Sequence, residues 1–131
     1  MFGAMTSERR GRVMLTVSEA DTATAMRSGD VPVLATPRVV ALCEEAACAA
    51  LAGVLEPGST SVGTWIELEH LAPTPVGAEV VAEAALTHAE GRRLEFDVTV
   101  SQGDAVVARG RHRRQVVDRE RFLDRLAPGA G

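Results

Sequence analysis

The stretch from Thr36 to Gly53 constrains the fold of this chain more than any other part. Its residues, TPRVVALCEEAACAALAG, carry apolar side chains at the spacing of an amphipathic helix. Thr36 can cap the start of this helix, Pro37 suits its first position because proline lacks an N–H, and Gly53 can close the far end. The apolar stripe, which must face a core, comprises Val39, Val40, Cys43, Ala46, Ala47, Ala50, Leu51 and Val54.

Two adjacent acids take different positions on this helix. Glu44 lies at the rim of the stripe, roughly 85° from its centre, whereas Glu45 points almost directly away from it. We therefore expect Glu44 to be half buried and Glu45 to lie in water. The outer side of the helix is mostly alanine, so we expect protein to cover both sides, as a sheet wrapped around a helix would.

Alternating apolar residues predict strands at 12–18, 60–71, 78–88 and 106–117, and a further strand marked by Leu94, Phe96, Val98 and Val100. In the second strand, the residues expected to share one inward face are Val62, Thr64, Ile66, Leu68 and His70. Residues 19–35 read as a short helical or irregular piece and a loop that forms a natural lid. The chain is predicted to be α+β: one long helix against a curved antiparallel sheet of about five strands, in the order of a hotdog fold.

Length and composition exclude several classes of protein. The 131 residues form one domain, with residues 1–11 polar and mobile. A net charge of -4 and few aromatic residues argue against nucleic-acid binding. Without a long apolar run or a leader pattern at the start, we expect no membrane association and a cytoplasmic location.

The reactive side chains narrow the chemistry further. There is no lysine for a Schiff base, no tyrosine, and no serine within a G-x-S-x-G pattern. Cys43 and Cys48 fall on different faces of the helix, so we expect buried thiols rather than a bridge or a metal clip. The three histidines show no metal-ligand spacing, and neither a metal nor a cofactor is expected.

Several short motifs together resemble the fluoroacetyl-CoA thioesterase family of hotdog enzymes. They are A-T ending at Thr36, Glu44 within L-C-E-E-A-A-C, E-P-G-S, S-V-G-T containing Gly63, His70 with A-P-T-P, and E-G-R-R-L. The resemblance extends from Thr36 to Arg114. It implies hydrolysis of an acyl-CoA at a dimer interface, with Thr36, Glu44 and His70 as the catalytic residues and the Gly63 backbone near the thioester oxygen.

The substrate contacts follow partly from this resemblance and partly from the helix itself. The N–H groups of Arg38 and Val39 at the helix start are expected to stabilise an oxyanion. The fluoroacetyl-specific member of the family has aromatic gate residues in the preceding loop, whereas this chain has Val31, Val33 and Leu34 there. We therefore predict a small or medium acyl-CoA substrate, without a preference for a fluorinated acyl group. Because a single sheet exposes its edges, we also predict a homodimer, and pairing into tetramers stays open.

Each of these residues also has a plainer explanation. Thr36 alone reads as a helix cap, Glu44 as an interface acid paired with an arginine, and His70 as a strand-end histidine. Arg109, Arg111 and Arg113 fit either coenzyme A phosphates or a solvated strand face, while His88 and His112 look like ordinary strand residues. The alternative functions are a non-catalytic acyl-CoA binding module and a hydratase or dehydratase, although the helix lacks the Asp and His of the latter.

Overall fold

The computed structural model describes residues 9–126, which form one antiparallel sheet and one long helix. The predicted α+β architecture is confirmed. None of the described helices is long and apolar enough to cross a bilayer. In chain order the elements are β1 (Arg10–Thr16), a 3-10 turn (Glu19–Asp21), α1 (Ala23–Met26), α2 (Thr36–Ala50), β2 (Ser59–His70), β3 (Glu79–Glu90), β4 (Arg93–Gln102), β5 (Ala105–Asp118) and α3 (Arg119–Asp124). The sheet has the order β1-β3-β4-β5-β2, and α2 packs mainly against β1 and β3.

Helix α2 forms where the sequence predicts it, but its start is capped differently. Ala35 is the N-cap residue and makes no side-chain capping bond, so the prediction of Thr36 as the cap is wrong. At the other end the helix stops at Ala50, and Gly53 lies in the following turn at a φ of 74°, a conformation that glycine adopts without strain.

The buried face of α2 agrees with most of the predicted stripe. It comprises Val39, Leu42, Cys43, Ala46, Ala47 and Ala50. Leu42 was absent from the prediction, and Val40 and Val54 are only half buried. Glu44 is half buried and Glu45 is exposed, as predicted. The outer side is not covered within this chain: Cys48 is exposed, so the expectation that both thiols are buried is wrong.

Strand β1 lies unusually close to α2. A β-carbon added to Gly11 would overlap the carbonyl oxygen of Ala46 and the amide nitrogen of Ala50, so only glycine allows this approach. Of the segment predicted to be mobile, Arg9 precedes β1 and residues 10 and 11 lie in that strand. The rest of that predicted mobile segment, residues 1–8, lies outside the described residues. The alternation predicted for β3 and β4 is confirmed, since the alternate apolar residues of both strands are buried: Val80, Ala82, Ala84, Leu86, Leu94, Phe96, Val98 and Val100.

Strand β2 is irregular in its middle. Its pairing with β5 shifts register between Gly63 and Trp65, which leaves Thr64 as an extra, exposed residue. A bulge of this kind reverses the alternation of side chains along a strand. The predicted inward row is therefore wrong in its first half: Ser61 and Gly63 face α2 before the bulge, and Ile66, Leu68 and His70 continue that face after it.

Candidate active site

The first residue of α2 and the last residue of β2 meet at one end of the sheet. The Thr36 hydroxyl oxygen lies 2.8 Å from His70 Nδ1, within hydrogen-bonding distance. His70 reaches this position because it ends the inward row of β2. Thr36 is available to it because the N-cap position belongs to Ala35. Two of the three predicted catalytic residues are therefore in direct contact.

The environment of His70 favours a neutral imidazole. Burial lowers the pKa of His70 below its ordinary value, because desolvation disfavours the charged ring. His70 Nε2 is buried and has no hydrogen-bond partner among residues 9–126. With Nδ1 engaged by Thr36, Nε2 is the ring nitrogen whose hydrogen-bonding capacity is unused within the described residues.

A cavity of about 290 Å³ lies beside this pair. Apart from Thr36 and His70, its walls are largely aliphatic and include Ala23, Val31, Val33, Leu34, Leu71 and Pro73. The predicted substrate contacts Val33 and Leu34 thus lie next to the Thr36–His70 pair. The cavity is an open, largely apolar cleft with Ser28, Thr36 and His70 as its polar side chains, a composition common in small-molecule sites.

Only the tip of the predicted lid is exposed. The Leu34 N–H donates to the Thr74 carbonyl at 2.8 Å, and the Ala23 N–H donates to the Val33 carbonyl at 2.8 Å. These two hydrogen bonds fix the base of the loop to the neighbouring segments on either side of it. Residues 24–32 are exposed and form the part that has room to move.

The start of α2 does not present the predicted oxyanion donors. The N–H groups of Arg38 and Val39 both donate to the Ala35 carbonyl at 3.0 Å. In addition, the Arg38 side chain is paired with Asp21, and the Val39 side chain is fully buried. In this structure both N–H groups are therefore already engaged, and their assignment as substrate contacts stays a prediction. Within the described part of the chain, the backbone donor of this first turn that has no partner is the Thr36 N–H.

Glu44 lies in a second polar cluster, against β2 and β5. Glu44 Oε2 is 3.4 Å from Arg114 Nη1. Glu44 is therefore paired with an arginine, as its alternative interpretation predicted, and the pair lies within one chain. Arg114 is buried and also donates through Nε to Ser61 Oγ at 2.8 Å and through Nη2 to the Ser61 carbonyl at 3.1 Å. Gly63 makes room for the carboxylate, since a β-carbon there would overlap Glu44 Oε2.

The three predicted catalytic residues do not meet within one chain. Glu44 follows Thr36 by eight residues, a rise of about 12 Å along an α-helix axis. Its contacts are with the Ser61–Gly63 end of β2, whereas His70 is at the opposite end of that strand. One chain thus holds these candidate residues in two separate clusters, here called half-sites: Thr36 with His70, and Glu44 with Arg114 and Gly63.

Sequence reasoning missed Arg114 and His112. Both face inward on β5, where burial alternates with the exposed face that carries Arg109, Arg111 and Arg113. The available signal was two polar residues at inward positions of an apolar strand. These outward arginines are paired with Glu67, Glu69 and Glu95, and Arg111 and Arg113 also lie over Trp65. This arrangement agrees with a solvated strand face and leaves no unpaired arginine row there for coenzyme A phosphates.

A protein-family model described as fluoroacetyl-CoA-specific thioesterase matches residues 17–120. The chain belongs to this family. Among curated relatives, the fluoroacetyl-CoA thioesterase of Streptantibioticus cattleyicolor is 42% identical over 90 residues. That match covers 69% of this chain and 65% of the length of the relative.

Solved structures agree with this membership. A mutant of the fluoroacetyl-CoA-specific thioesterase FlK in complex with fluoroacetate and CoA is 34% identical, with a TM-score of 0.81 over 86% of this chain and 95% of that one. A hot-dog-like protein from Thermanaerovibrio acidaminovorans is 27% identical, with a TM-score of 0.82 over 89% of this chain and 87% of that one. The fold is therefore the hotdog fold expected from the sequence.

Proposed function

We propose that this chain is an acyl-CoA thioesterase that hydrolyses a CoA thioester to a free acid and coenzyme A. The observation that carries the proposal is the hydrogen-bonded pair of Thr36 and His70 on the wall of an aliphatic cavity, in a member of a thioesterase family. Such a cavity can hold an acyl group while the polar pair faces its carbonyl carbon. A cytoplasmic location remains a prediction from the sequence.

In the proposed reaction, His70 and Glu44 both take part in hydrolysis of the thioester. When His70 Nδ1–H donates to the Thr36 hydroxyl, Nε2 offers a lone pair that can take a proton from water. Glu44 either activates water or attacks the carbonyl itself, and both routes stay open. The Thr36 N–H, with the backbone of Gly63, would bind the developing oxyanion.

We further propose that a second copy of the chain brings the two half-sites together. Strand β2 is an edge of the sheet, with one side unpaired by any described strand. Two such edges can pair antiparallel about a two-fold axis near Ile66 and Glu67. His70 of one copy would then lie beside the Gly63 end of the other, where the Glu44 carboxylate is. Further pairing into tetramers stays open.

The cavity supports a small aliphatic acyl group. Its volume of about 290 Å³ is at the low end for ligand pockets, which begin near roughly 300 Å³. An apolar wall discriminates by size, at roughly 10- to 200-fold in kcat/KM for one methylene. We expect short straight or branched acyl-CoAs to be better substrates than long ones, without a preference for a fluorinated acyl group.

The first experiment measures release of coenzyme A thiol from acetyl-, isobutyryl-, hexanoyl- and fluoroacetyl-CoA. The parent protein should turn over at least one of them, and Glu44→Ala and His70→Ala should each lose activity by roughly two or more orders of magnitude. Glu45→Ala and His88→Ala are matched controls, because both side chains are exposed. Tight CoA binding without thiol release would instead support the non-catalytic binding module.

The second experiment asks whether the site is shared between copies. A hybrid of one Glu44→Ala chain and one His70→Ala chain would have one intact site if each site takes Glu44 from one copy and His70 from the other. Random re-pairing should then restore roughly a quarter of the parent activity per chain. No recovery in hybrids verified by mass spectrometry, or a monomeric mass at micromolar concentration, would exclude the shared site.

A further inference from the structure

His112 is a buried histidine whose tautomer is set by its surroundings. It lies on the inner face of β5, is 1% exposed, and stacks against Phe96 at a ring-centroid distance of 6.3 Å. Its Nδ1 is 2.9 Å from the carbonyl oxygen of Trp65. A carbonyl oxygen only accepts hydrogen bonds, so Nδ1 must carry the proton. In the neutral ring, Nε2 is then an acceptor.

The partner of that acceptor is Arg114. Arg114 Nη1 lies 3.1 Å from His112 Nε2, and the same nitrogen is the one that faces Glu44 Oε2 at 3.4 Å. Ser61 holds the other two nitrogens of the guanidinium. Because a guanidinium is rigid and planar, contacts at all three nitrogens fix its orientation. His112 contacts Nη1, which is the guanidinium nitrogen that also faces the Glu44 carboxylate.

The charges around His112 also affect its protonation. The charged groups that face it are Arg114 from its own strand and Glu44 from α2. Burial and the Arg114 charge lower the pKa of His112, against the opposing effects of the Trp65 carbonyl and Glu44. A proton on Nε2 would set an N–H against the Arg114 N–H and push the guanidinium away from Glu44.

We propose that His112 is a positioning residue: as the neutral Nδ1–H tautomer it holds Arg114 in place, and Arg114 in turn orients the Glu44 carboxylate. The part of this inference that concerns catalysis rests on the proposed function of Glu44. The contacts among His112, Arg114 and Glu44 do not depend on it. His112 itself touches no reacting group.

The kinetic test compares His112→Phe with His112→Gln. Phenylalanine fills the space but cannot accept from Arg114, so kcat should fall roughly ten- to a hundredfold, the effect of losing one hydrogen bond to a charged group, while KM changes little. Glutamine offers an amide oxygen and should recover most of that loss. His88→Phe, at an exposed position, should match the parent. Parent-like kcat in His112→Phe, or His112→Gln no better than His112→Phe, would overturn the proposal.

A spectroscopic test needs no activity. Nitrogen-15 NMR of the parent at pH 7 should show His112 protonated at Nδ1 and unprotonated at Nε2. The Arg114 Nη1–H that faces His112 should exchange slowly with solvent, and this protection should persist in His112→Gln and fall in His112→Phe. A protonated Nε2 would refute the positioning role even in an active enzyme. If these signals are as expected but no acyl-CoA is hydrolysed, the proposed function fails while the contact network stands. Should His112→Phe not fold, His112→Gln and the tautomer decide the question.

Discussion

The Thr36 hydroxyl and the His70 imidazole are 2.8 Å apart although 34 residues separate them in the chain. Thr36→Val keeps the shape of the side chain and removes the hydroxyl, so His70 loses the contact that orients it. We expect kcat/KM to fall about tenfold, the effect of one net hydrogen bond, and Thr36→Ser to retain most of the activity. Steady-state thiol release measures both. Equal rates for Thr36→Val and the parent would remove Thr36 from the mechanism.

In the proposed reaction His70 is a base, so its neutral state should set the acid limit of activity. Because burial lowers the pKa of His70 below its ordinary value of 6.5, the ring stays unprotonated at pH values where an exposed histidine is already charged. The acid-side midpoint of kcat/KM should therefore fall below pH 6.5. A pH profile on a non-titrating substrate tests this, and a midpoint above that value would show that His70 is not the base in the free enzyme.

Gly63 keeps space for the Glu44 carboxylate. In Gly63→Ala the new β-carbon overlaps Glu44 Oε2, whereas its next neighbours, His112 and Arg114, are at 3.2 and 3.3 Å. Because that oxygen is the far end of a flexible side chain, the carboxylate can turn away, so we expect the free energy of unfolding to fall by only about 1 kcal/mol, through loss of its contact with Arg114. In a Glu44→Ala background the same change should cost far less, since the overlapping atom is gone. Urea denaturation of all four proteins gives the coupling energy, and strict additivity would contradict this contact.

Gly11 allows β1 to lie against α2. A β-carbon at Gly11 meets backbone atoms of Ala46 and Ala50, which cannot rotate away. Gly11→Ala should therefore reduce the free energy of unfolding by about 1–3 kcal/mol or more. Gly29→Ala is the matched control, because its nearest neighbour, Ala23 Cβ, is at an ordinary 3.4 Å. Equal melting temperatures for the two variants would show that β1 approaches the helix differently.

Asp21 links the turn before α1 to the start of α2 and should make stability depend on pH. Burial raises the pKa of Asp21, but hydrogen bonds from Ser18 and the charge and hydrogen bond of Arg38 outweigh it, and the net pKa lies below the ordinary 3.8. A lowered folded-state pKa gives stability that is present above pH 3.8 and is lost as pH falls through the folded value.

Asp21→Asn removes this titration. The parent should therefore be more stable than Asp21→Asn at pH 7, and the difference should shrink below pH 3.8. Denaturation curves at both pH values measure it. Asp30→Asn is a control, because that carboxyl is exposed. A constant difference between parent and Asp21→Asn across this range would mean that the Asp21 charge does not contribute to stability.

The secondary structure and the core followed from sequence because periodicity is a local property. The apolar spacing of α2 and the alternation of β3 and β4 place side chains on a face without knowledge of any partner. The half-buried position of Glu44 came from the same rule. The candidate residues Thr36, Glu44 and His70 came instead from a family resemblance, which carries residue identities but no contacts.

Contacts between distant segments were decided only by the tertiary structure. The bulge at Thr64 turns Gly63 toward Glu44, and nothing in the alternation of β2 signals it. The N–H groups of Arg38 and Val39 are taken up by Ala35, and Thr36 turns from the helix start to His70. His112 and Arg114 join Glu44 across two strands and a helix. Hydrogen bonds of this kind depend on which atoms come within about 3 Å of each other, and the chain order does not encode that distance.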